Sequence, residues 1–270
     1  MATTVAALHV YPVKGLKGVD VSEARATARG LEFDRRFMVV DREGNFVSQR
    51  EYPKMATIWT DIAGDELLLS APDAEEVGVP LIPTGPATKR VRVWKSVVDA
   101  SPVSEAADRF LSTYLGMECR LVYMPDTTRR LSNPQYAGPE KLVSFADGYA
   151  YLVIGTASLM DLNRRMGERG QPPLPMNRFR PSIVVTGSEA YAEDSWGEIR
   201  VGKARLAGVK PCGRCQVTTT DQSTGEVQGP EPLATLSTYR DSAEFGVMFG
   251  MNCVMLEAGS IRVGDPVTIA

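Results

Sequence analysis

The chain has 270 residues and a formal net charge of −3, with 43% hydrophobic and 23% charged residues. This composition is ordinary for a globular protein and excludes a disordered or collagen-like chain. The near-neutral charge gives no reason to expect nucleic acid as a partner. No apolar run approaches the roughly 20 residues of a membrane span, and the first residues show no signal-peptide pattern. We therefore expect a cytoplasmic protein without a membrane partner.

The first half of the chain is predicted to consist mostly of strands. Apolar and β-branched runs, separated by turn-forming residues, indicate strands and hairpins. These runs are residues 7–13, 37–40, 46–47, 57–62, 66–70, 90–93 and 120–124. One helix is predicted before the last of these strands. We expect Ser101 as its N-cap, Pro102 in its first helical position and Gly116 at its end.

The second half mixes strands with two helices. A buried strand over residues 151–154 leads into a helix over 156–166, which Gly167 is expected to end. A shorter helix is expected over residues 233–240. Further strands are predicted over residues 182–186, 199–201, 204–209 and 247–256. Because strands outnumber helices and most connections are short, the predicted class is α+β, predominantly β, with barrel-like sheets and a few helices.

Two closely spaced cysteines, Cys212 and Cys215, follow a predicted strand. A zinc site would need two more ligands. The only soft candidates elsewhere in the chain are His9, Cys119 and Cys253. A thioredoxin-like dithiol would need a helix directly after the pair, whereas residues 216–220 are predicted to form a strand. The sequence therefore disfavours both the zinc and the dithiol interpretation.

Two interpretations of the cysteine pair stay open. In the first, one thiolate binds a soft metal or attacks an electrophile, helped by the positive charges of Lys210 and Arg214. In the second, both thiols are buried structural residues, which is common for cysteine. Cations elsewhere in the chain favour the first interpretation, because a thiolate together with several cations suits an anionic ligand.

Basic residues lie at the ends of three predicted strands. Arginine forks bind phosphate or carboxylate with two hydrogen bonds, and nearby glycines allow the backbone to approach an anion closely. These cations are Lys14, Lys17, Arg35, Arg36, Arg178 and Arg180. Asp147, just before a strand, could accept hydrogen bonds from a ligand's amino groups or cap a turn. Each cation alone could be a solvated surface charge, but together they predict a composite site for an anionic ligand.

Taken in order, these motifs resemble the MOSC protein family over essentially the whole chain. The segments that carry the resemblance are residues 11–19, 30–37, 145–147, 177–181, 191–196, 212–215, 232–240 and 263–267. The resemblance implies an N-terminal MOSC β-barrel module over residues 1–122, packed on a MOSC β-barrel domain over residues 123–270. The most similar subgroup is the YcbX-like and mitochondrial amidoxime-reducing-component type.

The resemblance implies a molybdenum cofactor, Mo-molybdopterin, with Cys215 as the protein ligand to the metal. Three cations, Lys14, Arg36 and Arg180, are implied to meet the pterin phosphate. The full set of implied cofactor-binding residues is Lys14, Arg36, Asp147, Asn177, Arg180, Arg214 and Cys215. The implied activity is that of an oxidoreductase, which reduces hydroxylamines, amidoximes and N-hydroxylated bases to the N–H compounds, as in detoxification.

The sequence departs from the family pattern at two points, and each leads to a further expectation. Gly15 stands where many members have a serine, so one hydroxyl contact is lost. The four-cysteine iron–sulfur domain of some bacterial relatives is not found. We therefore expect a separate electron-donor protein, either a ferredoxin or flavoprotein reductase or a cytochrome b5-like protein.

The sequence leaves two alternative functions. MOSC domains also end the molybdenum cofactor sulfurases, so the chain could be a cofactor carrier or a sulfur-transfer module without reductase activity. The pyridoxal-phosphate domain of those sulfurases is not found, and we expect no pyridoxal phosphate. The third candidate is a structural or interaction protein with zinc at the cysteine pair.

Overall fold

The computed structural model describes residues 2–269. Its strands are β1 (Thr4–Val10), β2 (Val13–Lys14), β3 (Val19–Val21), β4 (Glu23–Thr27), β5 (Gly30–Leu31), β6 (Phe37–Val40), β7 (Trp59–Ala63), β8 (Glu66–Ala71), β9 (Ala74–Pro80), β10 (Lys89–Val93), β11 (Ser96–Pro102), β12 (Arg120–Tyr123), β13 (Tyr151–Gly155), β14 (Ile183–Thr186), β15 (Glu198–Val201), β16 (Ala204–Gly213), β17 (Met248–Glu257), β18 (Gly259–Arg262) and β19 (Val267–Ile269). The α-helices are α1 (Glu105–Leu115), α2 (Pro134–Ala137), α3 (Thr156–Glu168) and α4 (Leu233–Ser237). This content confirms the predominantly β, α+β class.

In the described part of the chain, the largest sheet has eight strands in the order β19-β15-β16-β17-β13-β14-β1-β3. Its one parallel pair is β13 with β14, and α3 supplies the crossover that parallel neighbours need. Buried Leu8 from β1 shares one apolar core with Ile183 and Leu206 from the second half. The first strands of the chain therefore complete a sheet built mainly by its second half.

Two smaller sheets enclose the core of the first half. Strands β10-β11-β12-β6-β2 form one sheet, and β7-β8-β9 form a meander. Phe37, Leu67 and Leu111 belong to the apolar core between them. A third small sheet joins β18 to β4 and β5, so it too links the two halves. Because strands are shared in this way, the division at residues 122 and 123 stays a prediction.

The predicted N-cap of α1 is wrong by three residues, whereas its predicted end is confirmed. Ser104 caps the helix, since its hydroxyl accepts the Ala106 N–H at 3.2 Å. Ser101 instead pairs with Tyr123 across β11 and β12, and its hydroxyl donates to the Gly85 carbonyl. Because β11 pairs with β12, it extends over Ser101 and Pro102, the residues predicted to begin the helix. Gly116 ends the helix in the left-handed conformation.

Three further predicted boundaries differ from the structure. Helix α3 continues past Gly167 to Glu168, and α4 ends at Ser237 rather than at residue 240. Residues Gln216–Thr219 form a 3-10 helix instead of the predicted strand. In this segment the Thr218 and Thr219 hydroxyls bond back to carbonyls three residues earlier, which competes with sheet pairing. Among residues 2–269, no helix combines the length and the apolar composition that crossing a bilayer requires.

Candidate functional site

A cavity of about 170 Å³ lies where segments from both halves of the chain meet. The first half contributes the end of β2, the segment 46–50 and the turn between β10 and β11. The second half contributes the loop before β13, the turn before β14, and the end of β16 with the cysteine pair. The structure therefore brings together the separate basic segments and the cysteine motif that the sequence singled out.

Lys14 is the most deeply buried cation of this cavity, with 11% of its side chain exposed. Its ammonium forms an ion pair with Asp147, whose side chain is 67% exposed at the mouth. Burial lowers the pKa of Lys14 below its ordinary value, and the Asp147 carboxylate opposes this effect. Desolvation acts to raise the pKa of Asp147, but Lys14 and a hydrogen bond from Trp94 outweigh it, so the carboxyl pKa lies well below its usual range.

Arg35 and Arg180 both stack on the ring of Tyr11, with their guanidinium carbons 4.2 and 4.3 Å from its centroid. Both arginines adopt the left-handed backbone conformation, with φ of 48° and 54°. Arg35 donates to the Asp34 carboxylate at 2.5 Å and to the Arg180 carbonyl at 3.1 Å. Arg180 donates to the Leu16 carbonyl at 2.7 Å. Stacking and hydrogen bonds thus hold two cations side by side at the cavity wall.

These surroundings shift the pKa values of the stacked groups in different directions. Burial raises the pKa of the Tyr11 phenol to about 12, although both guanidiniums oppose the shift. Burial also lowers the pKa of Arg180 to about 10. For Arg35, burial acts to lower the pKa, but the Asp34 carboxylate outweighs it and raises the pKa above its ordinary value. At neutral pH the phenol is therefore neutral and both arginines are charged.

Two residues of the predicted site do not line this cavity. The Arg36 guanidinium donates instead to the Met124 carbonyl and, at 2.9 Å, to the Asp126 carboxylate. Asn177 is exposed in the 3-10 helix Met176–Arg178. In contrast, Lys14, Asp147, Arg180, Arg214 and Cys215 do line the cavity. Arg35, next to Arg36 in the chain, lines the cavity as well, and its backbone has a positive φ.

The two cysteines differ in their surroundings although both are half-buried. The Arg214 guanidinium contacts the Cys212 sulfur at 3.0 Å and the Phe179 carbonyl at 2.7 Å. Within residues 2–269, the Cys215 thiol has no hydrogen-bond partner, while its carbonyl accepts the Thr218 N–H and hydroxyl. Arg214 is therefore paired with the first sulfur rather than with the predicted metal ligand. The second sulfur is left available to a bound group.

Gly213 fixes the path of the backbone between these cysteines. A Cβ at this position would lie 2.3 Å from the Phe245 carbonyl oxygen, so only glycine allows the segment before β17 to pack this closely. Lys210, the other predicted helper, lies over the rings of Tyr136 and Phe245 instead of lining the cavity. Of the two predicted helpers, Arg214 is therefore the one that contacts the cysteine pair.

The zinc interpretation gains no support from the geometry. Across the described range 2–269, no cluster of three or more His, Cys, Asp or Glu side chains could hold a metal ion. Cys119 and Cys253 are buried in separate apolar cores, and burial raises their thiol pKa to about 11 and about 12, respectively. His9 bonds to the Asp20 carboxylate at 2.6 Å.

Arg130, which the sequence placed only in a polar connecting stretch, holds the loop that carries Asp147. Its guanidinium donates to the carbonyls of Ser144, Ala146 and Asp147 at distances of 2.5 to 2.8 Å. Burial lowers the pKa of Arg130 to about 10. The sequence offered no signal for this role beyond a basic residue in a loop, because the three carbonyls lie at least fourteen positions away along the chain.

The charged residues of the cavity indicate which kind of ligand it can bind. Its lining contains five cations and one carboxylate: Lys14, Arg35, Arg50, Arg180, Arg214 and Asp147. The Nε atom of Arg214 is buried beside the cysteines and has no hydrogen-bond partner in the described part of the chain. Cations, an unused buried donor and an available thiol together fit an anionic, phosphate-bearing group whose metal accepts a sulfur ligand.

The fold and the site define a class of β-rich proteins in which two interleaved halves build one cationic, cysteine-containing cavity. Residues 2–118 match the MOSC N-terminal beta barrel domain, and residues 140–268 match the MOSC domain. The chain is 38% identical to Mitochondrial amidoxime-reducing component 1 of Mus musculus, over 98% of this chain and 81% of that protein. It is 37% identical to the component 1 of Homo sapiens, over 98% of this chain and 82% of that protein. The chain belongs to the MOSC family, in its amidoxime-reducing-component group.

Proposed function

We propose that this protein is a molybdenum-cofactor-dependent reductase of N-hydroxylated compounds. The observation that carries the proposal is the meeting of the available Cys215 thiol with cations from both halves of the chain in one cavity. The names of the similar proteins, amidoxime-reducing components, support the reaction type. The donor set of the cavity supports the class of cofactor.

Each lining residue receives a role from its surroundings. We assign the cofactor phosphate to Lys14, Arg35 and Arg180, which are held in place by their own partners before any ligand binds. Arg35 replaces Arg36 in this assignment, because the Arg36 guanidinium is committed to Met124 and Asp126. Preorganised cations cost little ordering entropy on binding, which favours retention of the anion.

The remaining roles belong to the second half of the chain. Cys215 would supply the thiolate ligand to molybdenum, a soft sulfur donor of the kind such metals accept. Asp147 would accept hydrogen bonds from amino groups of the pterin, since its low pKa keeps it ionised at neutral pH. Asn177 receives no contact in this assignment, because it lies outside the cavity lining.

When bound, the molybdenum cofactor supplies the two-electron redox chemistry. The overall reaction breaks the N–O bond of the substrate, consumes two electrons and two protons, and yields the N–H compound and water. The chain's own residues bind and orient the reactants within a cationic cavity. A separate electron-donor protein, of the ferredoxin, flavoprotein or cytochrome b5-like kind, would supply the electrons. The expected cytoplasmic location and detoxification role lack support, since the similar proteins are named mitochondrial.

The proposal is tested by measuring the molybdenum content of the purified protein by plasma mass spectrometry. The protein is expressed in a host that makes the cofactor and in a host that cannot. We expect about one molybdenum per chain from the first host alone. Cys215→Ala should lose the metal and the reduction of benzamidoxime. Cys212→Ala, a matched control three positions away in the same cavity, should keep the metal, because its sulfur already pairs with Arg214.

The other outcomes decide between the alternatives. Molybdenum retained with no reduction of benzamidoxime under any electron donor would favour a carrier or sulfur-transfer function. Zinc from both hosts without molybdenum would contradict the proposal and restore the structural interpretation of the cysteine pair. Equal metal loss in both cysteine variants would contradict the assignment of Cys215 as the only protein ligand.

A further inference from the structure

Trp94 lies in the turn between β10 and β11, at the mouth of the cavity. Its backbone adopts a left-handed conformation with φ of 54°, which is rare for a bulky residue. Although its ring is large and apolar, 36% of the residue is exposed. Trp94 is the first residue of a two-residue hairpin loop, a position that requires a positive φ and usually holds glycine, so the large ring is placed there at a conformational cost.

Two contacts fix the orientation of this ring. The indole Nε1–H donates to the Asp147 carboxylate at 3.0 Å. The ring of Phe46 packs against it, with centroids 4.7 Å apart and planes inclined by 57°. The indole is thus a rigid wall of the cavity, joined to the same carboxylate that pairs with Lys14.

Two cations lie over the Trp94 ring: the Lys14 ammonium, 5.8 Å from its centroid, and the Arg50 guanidinium. The guanidinium carbon of Arg50 lies 4.5 Å from the centroid of the Trp94 ring. Among the described residues, this guanidinium makes no ion pair and donates no hydrogen bond, and the side chain is exposed. The other four cations of the cavity each have a polar partner: Lys14, Arg35, Arg180 and Arg214. Arg50 is therefore the cavity cation that a ligand can displace most easily.

The displaced group indicates what takes its place. A guanidinium is planar, with three nitrogens on one carbon, and it stacks on aromatic faces. An amidoxime and its amidine product share this planar arrangement, with two nitrogens on one carbon. A hydroxylamine nitrogen is tetrahedral and cannot lie flat against a ring in the same way.

We propose that Trp94 is a specificity-determining residue, whose ring receives the planar carbon–nitrogen head group of an amidoxime-type substrate in the place that Arg50 occupies. This inference rests on the proposed function, because it names a residue that selects among the substrates of that reaction. It predicts that the protein prefers substrates with a planar carbon–nitrogen head group to substrates with a tetrahedral nitrogen. It also predicts that Arg50 competes with the substrate.

The experiment compares benzamidoxime with N-benzylhydroxylamine, which carry the same phenyl ring but differ in the geometry of the head. For Trp94→Leu we expect kcat/KM for benzamidoxime to fall about fivefold, with less than about twofold change for N-benzylhydroxylamine. Trp94→Phe keeps an aromatic face without the N–H donor and should retain most of the preference. Arg50→Ala should lower KM for benzamidoxime.

Trp59→Leu is the matched control. Trp59 is likewise an exposed tryptophan near a lysine, with the Lys17 ammonium 5.4 Å from its ring, but it does not line the cavity. This variant should leave both substrates unchanged. Equal losses for both substrates in Trp94→Leu, or a loss in Trp94→Phe as large as in Trp94→Leu, would overturn the proposal in favour of a positioning role through Asp147.

A binding measurement separates this inference from the proposed function. Calorimetry with benzamidine, a planar cation, and benzylamine, a tetrahedral one, needs no electron donor. We expect the full chain to prefer benzamidine and Trp94→Leu to lose that preference. If the wild-type protein reduces neither N-hydroxy compound, the proposed function fails, and the calorimetric preference still decides the role of Trp94. Equal binding of benzamidine and benzylamine by the wild-type protein would overturn the proposed role of Trp94.

Discussion

Each half of the chain contains a pair of arginines close together in sequence, and in both pairs the two members differ in the same way. The pairs are Arg35 with Arg36 and Arg178 with Arg180. In each pair one arginine lines the cavity, and the other lies outside the lining. The two cavity arginines share the ring of Tyr11, while Arg36 and Arg178 bind carbonyls and carboxylates elsewhere. Arginines that are close together in the sequence thus have different structural surroundings.

The difference between the members of each pair lies in the backbone. Arg35 and Arg180 have positive φ, and their structural neighbours do not. A left-handed residue reverses the local direction of the chain and costs conformational energy, so the surrounding contacts must favour it. Here the stack on Tyr11 and the carbonyl of Leu16 provide those contacts. Backbone strain, rather than residue type, thus marks the arginine of each pair that lines the cavity.

The largest expected effect concerns stability. Arg178→Met removes the partner of Asp221 from a position only 2% exposed, and we expect a loss of about 3 kcal/mol in the free energy of unfolding. Arg180→Met should cost clearly less, because within residues 2–269 Arg180 forms no ion pair and bonds only to uncharged groups. Urea denaturation followed by circular dichroism measures both. Equal losses would break the distinction between a structural and a cavity arginine.

The next effect concerns retention of the cofactor. Arg35→Lys keeps a positive charge beside the buried Asp34 carboxylate but removes the guanidinium, and it should weaken cofactor binding by about tenfold. Arg36→Met should retain molybdenum at the wild-type level, since its side chain turns to Met124 and Asp126. Metal content after extensive dialysis is the measurement. Loss of metal in the Arg36 variant alone would reverse the assignment and support the original sequence interpretation.

The smallest effect is a shift with pH. Anion binding needs the protonated form of Lys14, which is present below its pKa and is lost as pH rises through it. Because burial lowers this pKa, we expect cofactor loss below the ordinary value of 10.5. Asp147 opposes the lowering, so in Asp147→Asn the loss should begin at a lower pH than in the wild-type protein.

Molybdenum retained after dialysis at stepped pH, from neutral to alkaline, checks this expectation. The variant removes a negative charge from the cavity, and the Asn amide oxygen can still accept a hydrogen bond from the pterin amino groups. At neutral pH it should therefore hold the anion at least as well as the wild-type protein. The two retention curves are therefore expected to cross. Parallel curves without a shift would mean that Lys14 does not carry the anion, and the cavity arginines alone would then do so.

Local signals predicted parts of the fold well. The end of α1 at Gly116 followed from the conformational freedom of glycine at a helix end. The start of the same helix could not be predicted, because Ser101 and Ser104 are equally good caps and only the pairing of β11 with β12 excludes the first. Residues 216–219 show the same limit, since β-branched residues favour strands until their hydroxyls bond back to the backbone.

The sequence by itself determined the chemical inventory of this protein: one histidine, a closely spaced cysteine pair and basic residues at strand ends. Only the tertiary structure decided which of them meet. The cavity draws on segments from residue 14 to residue 252, and nothing in local periodicity encodes contacts across such separations. It also decided that Arg35 rather than Arg36 lines the cavity, because the direction of a side chain depends on backbone dihedrals that distant contacts stabilise.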